Sequence, residues 1–164
     1  MSAGQGIDLG AEASEIIARY PPGRQRSAIL ELLRLVQDRD GWVGPEGIRE
    51  VGEILGLTAA EVRGVASFYT MLHTEPKGRH VVSVCQSLAC AMLGAERIVS
   101  ALEEHLGVDS HHAGTTADGR LTLERAECLA ACDRAPVVQV DYGDMRGPVG
   151  AEEAVRMVEE LGRE

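Results

Sequence analysis

Aromatic side chains are scarce in this sequence: Trp42, Phe68, Tyr20, Tyr69 and Tyr142 are its only rings, 3% of the residues. Stacking on bases or sugars is therefore a poor basis for its function. Positive charge is also in short supply, with 16 Lys and Arg against 26 Asp and Glu and a formal net charge of −10. Such a surface repels nucleic acid and anionic membrane faces, so neither is expected as the main partner. No apolar run approaches the roughly 20 residues needed to span a bilayer. Met1–Gly10 lacks the basic start and apolar stretch of a signal peptide, which predicts a soluble protein of the cytoplasm. Gly78, Gly94, Gly114 and Gly119 do not form G-x-G-x-x-G after a strand, and no G-x-x-x-x-G-K-S/T occurs. Neither a nicotinamide nor a nucleoside triphosphate has a seat of its own. The C-x-x-C of dithiol oxidoreductases is missing too.

What the chain does contain is enough apolar matter, 45% of 164 residues, for one good core and a small satellite domain. After a Gly-rich opening that is expected to be mobile, Ala11–Arg19 reads as a short helix stopped by Pro21-Pro22-Gly23. From Arg24 to Arg39, Ile29, Leu32, Leu33 and Val36 share one helical face, with Arg26, Glu31, Arg34 and Gln37 on the wet side. Pro45 suits the first residue of a helix ending at Leu55, with Gly56 as a left-handed stop. Thr58 and Glu61 have the form of a capping box that starts a further helix to about Leu72.

The composition changes at Glu75-Pro76-Lys77-Gly78, which predicts a helical domain over residues 1–75 and a second domain over 76–164. Val81, Val82 and Val84 form a β-branched run into Cys85, the mark of a buried strand. Ile98, Val99, Leu102 and Leu106 return to the helical period. Leu121 and Leu123 alternate as a half-buried strand does, Val137, Val138 and Val140 suggest another, and Ala154, Val155, Val158 and Leu161 form a last amphipathic helix. The order strand, helix, strand, strand, helix is that of a small α/β layer structure. The fold class expected is thus α/β, with an N-terminal helical bundle ahead of the sheet.

Four cysteines in a reducing compartment point to metal or redox chemistry rather than to two disulfides. Their spacing is Cys85-x4-Cys90 and Cys128-x3-Cys132, two close pairs at strand ends. Four thiolates complete a [2Fe–2S] cluster, two on each iron, and soft sulfur suits iron already bound to sulfide. The anionic cluster also needs peptide N–H groups near its sulfurs, and Ala89, Ala91, Ala130 and Ala131 let the backbone come close. Zinc also takes four cysteines, but its loops more often use C-x2-C, so the spacing favours the cluster while zinc stays the competing reading. Buried, inert thiols fit two such pairs least. His111-His112 precede Ala113-Gly114-Thr115-Thr116 and read as solvated loop residues. His73, His80 and His105 are isolated, and Trp42 fits either an interface anchor or core packing.

Ser67-Phe68-Tyr69-Thr70, Pro76-Lys77-Gly78, Val84-Cys85, Cys90 followed by Gly94, and Glu127-Cys128-Leu129-Ala130-Ala131-Cys132 with Ala135-Pro136 together resemble one family. It is the thioredoxin-like [2Fe–2S] ferredoxin subunits, found in complex I (the 24 kDa subunit), in NAD-reducing hydrogenases and in NAD-dependent formate dehydrogenases (the gamma subunit). The resemblance runs from about Ile29 to the C-terminus. It implies a thioredoxin-like cluster domain and cluster ligation by Cys85, Cys90, Cys128 and Cys132. The implied role is electron transfer, without catalysis by this chain alone. Cys85-Gln-Ser-Leu-Ala-Cys90-Ala-Met-Leu-Gly-Ala looks most like the formate dehydrogenase gamma subunits, with the complex I and hydrogenase subunits as sister readings. The partners implied are a flavoprotein subunit that binds FMN and NAD, and a larger iron–sulfur subunit carrying molybdenum or tungsten. Two positions depart from the family. Ala130 stands where members usually have Gly, and a requirement for φ > 0 there would strain it. Asp133 replaces a small or neutral residue, and its carboxylate would lower the cluster potential by disfavouring the added negative charge.

Overall fold

The computed structural model describes residues 9–163, so the Gly-rich opening lies outside the described residues up to residue 8. The chain divides into two compact units, Met1–Pro76 and Lys77–Glu164.

The first unit is helical: α1 (Leu9–Ala18), α2 (Ile29–Asp40), α3 (Pro45–Leu55) and α4 (Ala59–Phe68). Its core is made by Leu32, Leu33 and Val36 of α2, Ile48 and Val51 of α3, and Val62 and Ala66 of α4. The helix expected from Arg24 begins instead as a 3₁₀ turn, Gln25–Ala28, that runs straight into α2. Helix α3 starts on Pro45 and stops at the left-handed Gly56, whose φ is +66°. Gly47 lets α3 lie close to α2, because a Cβ there would collide with the Val36 side chain. The capping box is complete: Thr58 Oγ1 accepts from the Glu61 N–H at 3.3 Å, and the Thr58 N–H donates to Glu61 Oε2 at 3.0 Å.

Helix α4 ends at Phe68, short of the expected Leu72, and Tyr69 is extended (φ −95°, ψ 109°). The cause is distant in sequence. Gln37 Nε2 donates to the Met71 carbonyl at 2.9 Å, and Gln37 Oε1 accepts from the His73 N–H at 2.6 Å. The His73 carbonyl in turn accepts from the Val43 N–H at 2.7 Å. These bonds tie residues 71–73 to α2 and to the segment before α3 in place of a further helical turn. Gln37 is thus half-buried and structural rather than simply wet.

The second unit holds a five-stranded sheet of order β2-β3-β1-β4-β5, formed by β1 (His80–Cys85), β2 (Gly114–Thr115), β3 (Leu121–Ala126), β4 (Val138–Val140) and β5 (Asp144–Arg146). Between β1 and β2 come the short α5 (Leu88–Met92) and α6 (Ala95–Leu106), and α7 (Ala151–Leu161) follows β5. The central strand β1 pairs in parallel with β3, His80 opposite Leu121 and Cys85 opposite Ala126, and antiparallel with β4. A parallel pair needs a crossover, which α5 and α6 supply. Ile98, Val99 and Leu102 of α6 and Ala154, Met157 and Val158 of α7 share one core with Val82, Val84, Leu123 and Val138 of the sheet. The structure adds α5, β2 and β5 to the expected strand–helix–strand–strand–helix order, all three being short elements. Arg125 ties β3 to α6, donating to both carboxylate oxygens of Glu96 at 2.9 and 3.1 Å and to Ser110 Oγ at 2.9 Å. Glu103 accepts from the Ser110 N–H and hydroxyl at 3.0 and 2.6 Å, and these bonds hold its carboxyl below the usual carboxylate range. His111 and His112 are exposed in the short turn that follows.

Candidate metal centre

Strand β1 delivers Cys85 as its last residue, opposite Ala126, the last residue of β3. The chain then turns through Gln86, whose N–H still pairs with the Ala126 carbonyl at 2.8 Å, into α5, which carries Cys90. Cys128 comes two residues beyond the end of β3, and Cys132 opens a 3₁₀ turn, Cys132–Arg134. Because β1 and β3 run parallel, both cysteine loops leave the same end of the sheet.

The two pairs differ in environment. Cys85 and Cys90 are buried, at 3% and 1% exposure, whereas Cys128 and Cys132 are exposed, and all four are free thiols. Burial is the main reason that the Cys90 thiol is pushed above the ordinary thiol range, and its proximity to Cys85 and Cys132 raises it further. The nearby Val137 backbone N–H pulls the other way. Three of the sulfurs are thus neighbours, and the fourth, Cys128, sits on the same loop as Cys132. Among the described residues, no three His, Cys, Asp or Glu side chains form a preset site for a single metal ion.

Two backbone features of this end of the sheet were not evident from spacing. Val137 lies between the first two cysteines: its carbonyl accepts from the Cys85 N–H at 3.1 Å, while its own N–H lies near Cys90. Ala130 is left-handed, with φ +54°, and its N–H donates to Cys128 Sγ at 3.4 Å. The glycine usual at that position in the resembled family was the signal for the second feature; the first had none. The loop is braced from behind by Gly147, where a Cβ would collide with the Arg134 carbonyl oxygen and lie 3.1 Å from that of Pro136. The Val149 N–H also donates to the Pro136 carbonyl at 3.1 Å. Four soft sulfur donors on two loops, with the Ala130 N–H directed at one of them, fit the demands of an anionic iron–sulfur cluster. On the surface next to Cys90, Leu88, Met92 and Leu93 are all exposed.

The profile of the thioredoxin-like [2Fe-2S] ferredoxin family matches residues 13–162. The chain belongs to this family. It is a thioredoxin-like ferredoxin, and the family's cofactor is a [2Fe-2S] cluster. Over 149 residues it is 49% identical to the E subunit of NADH-quinone oxidoreductase from Mycobacterium tuberculosis, a match covering 90% of this chain and 58% of the relative. The ferredoxin thus spans somewhat under three fifths of the mycobacterial relatives it matches. It is 42% identical over 124 residues to the E subunit of the Pseudomonas aeruginosa enzyme, covering 74% of each chain. NADH-quinone oxidoreductase subunit 2 of Thermus thermophilus is 42% identical over 127 residues, which is 77% of this chain and 69% of the relative. Among solved structures, an NAD+-reducing [NiFe]-hydrogenase in the H2-reduced state superposes with a TM-score of 0.72 at 19% identity. That superposition covers 83% of this chain and 22% of the hydrogenase chain, and it is a likeness of fold. No helix among the described residues of the ferredoxin is long and apolar enough to cross a membrane.

Proposed function

We propose that this ferredoxin is the electron-carrying subunit of an NADH-oxidising assembly on the cytoplasmic side, with Cys85, Cys90, Cys128 and Cys132 as the ligands of its cluster. The observation that carries this reading is the delivery of the two cysteine loops at one end of the parallel pair β1 and β3, with Cys85, Cys90 and Cys132 as neighbours. The cluster, when bound, supplies one-electron chemistry. The chain's own residues do the rest. Cys85 and Cys90 anchor the site in the core and keep water from one side of it. The N–H groups of Val137 and Ala130 offset negative charge on the sulfurs of Cys90 and Cys128. Asp133, exposed beside Cys132, opposes added negative charge and lowers the potential.

A hydride carries two electrons and this site passes one at a time, so a flavin must stand between them. The partner is accordingly a flavoprotein subunit with FMN and the NAD site. Leu88, Met92 and Leu93 give it an apolar contact next to Cys90. The mycobacterial and Pseudomonas relatives favour an assembly of the NADH-quinone oxidoreductase kind. The formate dehydrogenase reading, with its molybdenum or tungsten subunit, rests on the Ala91-Met92-Leu93-Gly94 stretch after Cys90 alone.

Two experiments test this. Anaerobically isolated protein is expected to hold two irons and two acid-labile sulfides per chain and to give a paramagnetic signal on dithionite reduction. Serine at any of the four cysteine positions is expected to diminish or alter that signal; one zinc and no sulfide would reject the reading. The native assembly is expected to pass electrons from NADH to quinone, whereas formate-driven NAD+ reduction by that assembly would shift the assignment to a formate dehydrogenase.

A further inference from the structure

Ala130 combines two observations that the cysteine spacing does not explain. An L-residue rarely adopts φ +54°, yet alanine is held there. Independently, its N–H donates to the sulfur two residues earlier, Cys128 Sγ, at 3.4 Å. The arrangement is the sulfur counterpart of the turns in which a short polar side chain takes the N–H of residue i+2. Cys128 is exposed, unlike the buried Cys85 and Cys90.

We propose that the Ala130 peptide N–H is a potential-setting group, a positioning donor that stabilises the reduced form of the site by bonding to Cys128. The inference rests on the reading of Cys128 as a cluster ligand. An added electron makes the ligand sulfurs more negative, and a donor fixed on one of them gains more from the reduced form than from the oxidised one. The turn of the chain through Cys128 and Leu129 is what aims the donor, so the effect belongs to the backbone amide and not to the methyl group of residue 130. Asp133 acts in the opposite sense from the same loop.

The test uses the intact, cluster-bearing chain and reads potential and hyperfine coupling. Replacing residue 130 by lactic acid turns the amide into an ester, which removes the N–H and keeps the side chain. This is expected to shift the reduced-to-oxidised ratio about tenfold toward oxidised at fixed applied potential, about 59 mV for a one-electron couple. An unchanged potential would overturn the proposal. The second measurement does not depend on that variant. With alanine labelled with nitrogen-15, pulsed paramagnetic resonance of the reduced protein is expected to show a coupling that disappears in labelled Ala130→Gly, where the backbone N–H is kept and only the label is lost. Identical spectra would refute the hydrogen bond. Absence of any reduced-cluster signal in the unaltered protein would sink the ligand reading and this inference together, whereas a normal signal with unchanged couplings sinks this inference alone.

Discussion

Gly147→Ala probes how firmly the second cysteine loop is held from behind. The new Cβ would overlap the Arg134 carbonyl oxygen and press on Arg134 Cγ at 3.2 Å and the Pro136 carbonyl oxygen at 3.1 Å. Two of these neighbours are backbone atoms, which cannot swing aside as a flexible side chain can. Restoring ordinary contact requires a movement of about 1 Å, and overpacking of this kind costs about 2 kcal/mol. For a unit of under 100 residues, where 1 kcal/mol moves the melting temperature by about 4–8 °C, the expected fall is about 8–16 °C. The displaced segment includes the Cys132–Arg134 turn, so the variant should also lose visible absorbance to an iron chelator faster than the unaltered protein. Thermal melting of the cluster-free chain, followed by circular dichroism, separates the stability effect from cluster loss. A variant that melts within about 2 °C of the original and bleaches at the same rate would refute the bracing role.

The opposite sign is expected for Gly64→Ala, which lies on the exposed face of α4 with nothing within 4 Å of its added Cβ. Denaturant unfolding of that variant should show a gain of about 0.5–1 kcal/mol, and a loss would contradict the helical environment assigned to it. Thr58→Ala should weaken the same unit by about 1 kcal/mol, since it removes the side chain that caps the start of α4; equal midpoints in urea would count against the capping box. Glu103→Gln removes a carboxylate whose folded pKa is lowered, first by the Ser110 hydroxyl, then by the Ser110 N–H, with Arg125 adding a smaller Coulomb effect. A lowered carboxyl contributes stability above its unfolded value of about 4.3 and loses it as the pH falls through the folded value. The difference from the unaltered protein, about 1 kcal/mol at pH 7, should therefore shrink toward pH 3, and a gap that widens on acidification would reject that account.

Local signals in the sequence were the dependable ones. Pro45, Gly56 and the Thr58–Glu61 box mark the bounds of α3 and the start of α4 because each acts on groups within one helical turn of itself. The end of α4 was not legible, since its cause is Gln37, more than thirty residues earlier, taking the Met71 and His73 backbone groups. β2 and β5 have two and three residues, too few to show a period, and they exist only through pairing with β3 and β4. α5 was missed for a related reason: it has five residues, and its large apolar side chains face solvent rather than a core. At the candidate site, the valine run into Cys85 and the two cysteine spacings were visible along the chain. The backbone donor of Val137 and the close approach of Gly147 depend on segments that meet only after folding.

The parallel pairing of β1 and β3 also determines which changes of length the chain can absorb. The crossover through α5, α6 and β2 joins two strands whose registry is set by their own ladder, so its surface turns can gain or lose residues while the distance between the two sulfur-bearing corners stays fixed. One residue inserted within either strand is a different event. It slides that corner by about 3.3 Å and turns inward-facing side chains outward, which would separate the corners by more than the length of a metal–sulfur bond.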